Sequence, residues 1–266
     1  MRSIKIFALT AFLVTAVLCA TAFINVSLLT KVNGGDKGFA VIELFTSEGC
    51  SSCPPADELV AKIEKESKDQ PVYILAYHVD YWDRSGWKDV FSSADYTKRQ
   101  NEYVGYLHLQ SVYTPQIVVN GKTEFTGSEE ETLRNAIKTN LQIASPAQLS
   151  LNVSTTEPGH AGIKYTTDGV EKKTVLLLAF LQKNAQTKVG GGENGGRTLS
   201  HVQIVRKLQR VSLNGNGGSV NVALPDGFDS QGWEIIGFLQ NKTNGMITGA
   251  ARATFSSDAN GSMASH

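Results

Sequence analysis

Phe39-Ala-Val-Ile-Glu-Leu-Phe45, then Thr46-Ser-Glu-Gly49, then Cys50-Ser-Ser-Cys53-Pro-Pro55 is the stretch from which the fold is read. The first part is almost continuously apolar, as a strand covered on both faces would be. It stops at a polar turn, and from Ala56 the period changes. Leu59 and Ile63, with Glu and Lys residues between them, have helical spacing to about Ser67. The cysteine pair therefore lies between a buried strand and a helix, with Cys50 near the helix amino end. Unpaired N–H groups and the helix dipole favour a thiolate there. The three-residue spacing also lets the two sulfurs close into a small ring, so that intramolecular resolution competes with release of a mixed disulfide. Pro54-Pro55 are expected to bias Cys53 away from helical geometry and delay the helix by a residue or two.

Downstream, Val72-Tyr-Ile-Leu-Ala-Tyr77 reads as a second strand ending in His78-Val-Asp80-Tyr-Trp82. Residues 83–112 are polar and aromatic, with helical potential around Ala94–Tyr106. Thr114-Pro115 precede the run Gln116–Val119, and Asn120-Gly121 separate it from Lys122–Phe125. Asn-Gly between two such runs is a strong hairpin signal, because both turn positions take positive φ. Ser128 with Glu131 resembles a capping box opening a helix to about Ile143. Pro146 is expected to mark a boundary. Beyond it short strands alternate with turns: Leu149–Val153, Gly162–Thr167, Val175–Leu181, Val220–Leu224 and Trp233–Gln240. This predicts an antiparallel all-β, sandwich-like domain over 146–255. Ser256–His266 reads as a disordered tail.

The chain of 266 residues is 41% hydrophobic and 19% charged, with no formal net charge. That composition supports a real core and offers no general electrostatic grip on nucleic acid or anionic lipid. Arg2 and Lys5 precede an apolar run from Ile6 to Ile24, and Ala20-Thr21-Ala22 provides a small-residue cleavage site. Residues 1–30 are read as a secretory signal, with an uncleaved membrane anchor as the alternative. Bulky Leu18 argues against lipidation at Cys19. The expected location is periplasmic or secreted, with membrane contact only through residues 1–30. Cleavage after Ala22 would remove Cys19 and leave Cys50 and Cys53 as the only cysteines.

A C-x-x-C pair can be half of a zinc site or a redox pair. No second C-x-x-C and no H-x3–5-H accompanies it, so a four-ligand structural zinc site lacks ligands within the chain. A permanent structural disulfide stays open as an alternative. Closing so short a loop contributes little chain entropy, which argues against a staple.

Strand, Cys50-Ser-Ser-Cys53, helix, and far downstream Thr114-Pro115 before a strand resemble the thioredoxin superfamily. The resemblance implies a thioredoxin-like α/β domain over 38–145, with Pro115 as the cis-proline facing the dithiol. It also implies that Thr114 contacts the substrate backbone. Ile42–Pro55, His78-Val-Asp-Tyr-Trp82, Tyr113-Thr-Pro-Gln116, Gly195-Gly-Arg-Thr-Leu-Ser-His201 and Val205-Arg206 are similar to one narrower group. That group is the family of secreted, thioredoxin-like bacterial proteins called DUF1223. The resemblance implies a fold and a redox centre and supplies no established activity. The placement of the pair gives the leading hypothesis, thiol–disulfide exchange with envelope or secreted proteins, Cys50 attacking and Cys53 resolving, with no cofactor. The Ser-Ser filler departs from typical thioredoxins, so no redox potential carries over.

His78, Asp80 and Trp82 follow the carboxyl end of the second strand, where sites form in open α/β sheets, and are candidate assisting residues. A second hypothesis joins Cys50, Cys53 and His78 into a copper ligand set, since thiolates and imidazole suit Cu(I). A third is a non-catalytic interaction module with a permanent disulfide. Gly190-Gly-Gly-Glu-Asn-Gly-Gly196 lacks the ending of a phosphate loop and is expected to be a mobile connection. Arg197, His201 and Arg206 are expected on a solvated face, with a cationic rim facing the first domain as the alternative.

Overall fold

The computed structural model describes residues 38–255, the side chain of Thr155 excepted. The expected leader (1–30, with Cys19) and tail (256–266) lie outside the described residues.

β1 (Ala40–Thr46) is buried along its whole length and runs parallel to β2 (Val72–His78), from Ala40 beside Val72 to Thr46 beside His78. Its alternate residues serve two cores. Ala40, Ile42 and Leu44 face α1 (Pro54–Glu66) and α3 (Glu130–Gln142), where Leu59, Ile63, Leu133 and Ile137 pack. Val41 and Phe45 face the other way, towards Tyr96 and Tyr103 of α2 (Ala94–Leu107). β3 (Gln116–Val119) lies antiparallel to β1, and β4 (Thr123–Thr126) to β3. Asn120 and Gly121 turn between them with φ of 49° and 66°, as the Asn-Gly signal predicts.

Two helix starts differ from expectation. α1 begins at Pro54, directly after Cys53, which is itself helical at φ −78° and ψ −38°. The two prolines occupy first-turn positions whose N–H groups have no intrahelical acceptor, so their missing donors cost nothing there. The Ser128/Glu131 capping box does not form: α3 starts at Glu130, and Thr132 Oγ1 donates to Glu129 Oε2 at 3.0 Å.

The expected boundary at Pro146 falls between α3 and β5 (Gln148–Glu157), but the main sheet draws strands from both sides of it. β7 (Thr174–Lys188), β8 (Thr198–Ser212), β10 (Trp233–Asn241) and β11 (Ile247–Arg252) continue it, in the order β11-β10-β7-β8-β2-β1-β3-β4. β8 is the seam, parallel to β2 with Ala76 beside Ile204. A second sheet, β12-β5-β6-β9, adds β6 (His160–Asp168), β9 (Gly217–Ala223) and β12 (Thr254–Phe255). Its Leu151, Val153 and Ile163 pack on Leu176, Leu178, Phe180 and Ile235 of the main sheet. Two sheets pack face to face after Pro146, and one of them is the sheet that also carries β1 and β2. Among the described residues no helix is long and apolar enough to cross a membrane.

Candidate functional site around Cys50 and Cys53

The turn after β1 brings Cys50 and Cys53 together as a disulfide, with Cα atoms 5.4 Å apart. Cys53 N–H donates to the Cys50 carbonyl at 3.2 Å, and the Ala56 and Asp57 N–H groups donate to the Cys53 carbonyl. Both cysteines are 0% exposed, whereas Ser51 and Ser52 between them face solvent.

Thr114-Pro115 is a cis peptide. Ser52 Oγ lies 3.3 Å from Cys50 Sγ and 3.5 Å from the Thr114 carbonyl oxygen, so Thr114 borders the pair. A Cβ on Gly127 would come within 3.0 Å of both Ala56 and Pro115, which places Pro115 across from the first turn of α1. Trp82 donates its indole N–H to Thr114 Oγ1 at 2.8 Å and packs over Gly49. Cys50, Cys53, Thr114, Pro115 and Trp82 thus share one place.

Asp80 and His78 do not join them. Asp80 Oδ1 accepts from Thr97 Oγ1 at 2.5 Å, binding the 3-10 turn Asp80–Ser85 to α2. His78 is fully buried, its Nδ1 2.6 Å from Asp89 Oδ2, and its Nε2 has no partner. Burial opposes the charged form of Asp89, but the His78 imidazole and the N–H groups of Glu48 and Phe91 outweigh it and hold its pKa low. Neither His78 nor Asp80 hydrogen-bonds to a cysteine. Among the described residues no three His, Cys, Asp or Glu side chains are arranged to hold a metal ion.

His201, expected on a solvated face, is only 2% exposed. β8 carries it beneath the cysteine loop, where Nε2 lies 3.4 Å from Glu48 Oε1 and Nδ1 3.8 Å from Asp57 Oδ1. These are ionic contacts outside good hydrogen-bond geometry. Glu48 and Asp57 bracket the cysteines in sequence, so one imidazole ties both flanks. Burial works against its charge, but the two carboxylates prevail and push its pKa up to about 9. The His78 ring stacks edge-on against it at 4.8 Å. Thr46 Oγ1 and Trp87 Nε1 donate to the remaining oxygens of Asp57 and Glu48.

The glycine-rich segment 190–196, expected to be mobile, is docked on the same loop. Asn194, 1% exposed, donates its side-chain amide to the carbonyls of Glu48 and Cys50, both at 2.9 Å. Glu193 Oε2 accepts the Ser51 N–H at 3.0 Å, and hydrogen bonding with the Ser51 side chain and then its N–H lowers the Glu193 pKa. Arg197 donates to Asn194 Oδ1 at 2.7 Å, while Arg206 stacks on Phe91. No motif signals Asn194 in advance, because its role comes from pairing between β7 and β8.

Fold and site together define a sheet-rich mixed α/β protein with a buried disulfide at the start of a helix. The family model "Protein of unknown function (DUF1223)" matches residues 41–240, and the chain belongs to that family. Among solved structures it is similar to a protein from Agrobacterium tumefaciens, at 27% identity and a TM-score of 0.62 over 80% of this chain and 92% of that one. HBP35 of Porphyromonas gingivalis shares the fold at 18% identity and a TM-score of 0.57, over 82% of this chain and 75% of that one. No curated protein matches the chain significantly.

Proposed function

We propose that the protein is an exported thiol–disulfide redox protein in which Cys50 and Cys53 exchange with thiols and disulfides of envelope or secreted proteins. The observation that carries this reading is the Cys50–Cys53 disulfide at the first turn of α1, bordered by the cis Thr114-Pro115 peptide. The strand order β2-β1-β3-β4, with α1, α2 and α3 between, supports a thioredoxin-like core within residues 38–145. Export rests on the reading of residues 1–30.

Exchange proceeds through the reduced pair. The Cys50 thiolate, favoured by the α1 dipole, attacks a partner disulfide and releases a partner thiolate. Cys53 then loses its proton and attacks Cys50 Sγ, restoring the internal disulfide and releasing the second partner thiolate. One partner disulfide is reduced and one dithiol oxidised. Thr114, Pro115 and Trp82 form the wall against which the partner lies, while His78 and Asp80 act only through the loops they brace.

Trapping tests this directly. With Cys53→Ala the mixed disulfide at Cys50 should persist, giving adducts of higher mass that dithiothreitol dissolves; Cys50→Ala should give none. Equal adduct formation by both variants would contradict the assigned roles. Full burial of both cysteines favours a second reading, a permanent disulfide in an interaction module. That reading predicts no adducts and no change in the wild-type disulfide under mild reductant.

A further inference from the structure

A disulfide whose cysteines are both 0% exposed cannot meet another protein's sulfur until something moves. We propose that the tip of the β7–β8 hairpin, Val189–Arg197, is a lid that holds the disulfide closed and swings away to admit a partner. This rests on the exchange reading of the same pair and adds its regulation.

The tip is built to move as one piece. Its neck is closed by Val189 N–H to the Arg197 carbonyl at 2.9 Å and Gly196 N–H to the Val189 carbonyl at 2.8 Å. Within it, Gly195 N–H bonds the Gly192 carbonyl at 3.2 Å, and Gly192 and Gly196 take φ of 66° and 83°. The tip grips the cysteine loop by polar contacts on both sides of Cys50: Asn194 to the Glu48 and Cys50 carbonyls, and Glu193 to the Ser51 N–H. Its other supports are buried Val189 at the neck and the close packing of Gly190–Gly192 on Ser85–Trp87, where a Cβ on Gly190 would lie 2.7 Å from the Trp87 ring and one on Gly191 2.5 Å from the Gly86 carbonyl. Water can replace polar contacts of this kind once the loop lifts, so their net hold is modest. An apolar lid would have no such exchange partner. The long paired strands β7 and β8 stay in place and return the tip to the same position.

The test follows reduction of the oxidised full chain by dithiothreitol, counting alkylated cysteines by mass over time. The incoming thiolate attacks Cys50 Sγ and expels the Cys53 thiolate, which takes a proton from solvent. The second reductant thiol then displaces Cys50, leaving the reductant as a cyclic disulfide. Asn194→Ala and Glu193→Ala should each speed this about tenfold, as loss of one or two such hydrogen bonds allows. Oxidation by glutathione disulfide should speed up alongside, leaving the equilibrium within about threefold, since a lid changes access in both directions. Equal rates in wild type and variants, with the disulfide readily reduced in all, would overturn the lid and leave the exchange reading standing. If the folded wild type resists reduction altogether, the exchange reading fails, and hydrogen exchange judges the lid alone. The Ser51 amide, bonded to Glu193, should exchange about tenfold faster in Asn194→Ala, because the tip detaches as a unit. An unchanged Ser51 amide in that variant overturns the lid.

Discussion

The residue scale is governed by charges placed where water does not reach. Glu43, in the middle of β1, is 0% exposed and meets Arg99 of α2, itself 3% exposed, through two hydrogen bonds. Tyr103 donates to the same carboxylate, and the guanidinium lies over the Tyr77 and Phe238 rings at 5.5 and 5.3 Å. Removing one partner strands a buried charge, so Arg99→Met should lower stability by about 3–5 kcal/mol. In urea unfolding, the double variant Glu43→Leu/Arg99→Met should recover most of that loss. His201 gives a dependence on pH. Its folded pKa, about 9, stands above the ordinary 6.5, because Glu48 and Asp57 outweigh burial. The stability it contributes is therefore complete below about pH 6.5 and is lost as pH rises through about 9. The ceiling on that contribution is roughly 3 kcal/mol. His201→Gln should flatten the decline in melting temperature between pH 6.5 and 9, and an unaltered slope would mean the imidazole is not charged beneath the loop.

At the scale of elements, β8 matters most. Ile204 is 0% exposed at the one paired position between β8 and β2, so Ile204→Ala should cost about 2–5 kcal/mol by calorimetry. Little in the sequence marks this strand. Its inward positions include His201 and Gln203, both buried, and polar residues there break the alternation by which strands are recognised. β1, β2, the β3–β4 hairpin and the helix after Cys53 were legible because their apolar periods and the Asn-Gly turn are strong local signals. Trp82 was legible as a neighbour of the cysteines from its place past the carboxyl end of β2, and Thr114 only through the family resemblance, since it reaches the site by chain crossing. Glu48, Asp57, Asn194 and His201 were not legible as a group: contacts between residues so far apart in sequence leave no local trace.

At the scale of the molecule, sheet continuity argues against treating residues 38–145 as self-sufficient. One face of that segment is completed by Leu177, Leu181, Val205, Ile236 and Phe238, none more than 1% exposed. Each such side chain is worth about 1.5–3 kcal/mol when buried, so together they rival the ~5–15 kcal/mol that holds a whole domain folded. A chain ending at residue 145 should be unfolded or aggregated by circular dichroism and light scattering, and the full chain should melt in one transition. Two resolved transitions would restore the boundary at Pro146. The same continuity lets a strand from the second half reach beneath the cysteine loop and its hairpin tip bond the backbone of Glu48, Cys50 and Ser51. Whether that pair is a working redox centre is tested most directly by equilibrating the folded protein with graded ratios of reduced to oxidised glutathione. Acid quenching, alkylation and counting of thiols by mass would follow. A working centre titrates reversibly between two thiols and none, with the same midpoint from either direction and no loss of fold. A disulfide that stays closed at every ratio short of unfolding would contradict the exchange reading.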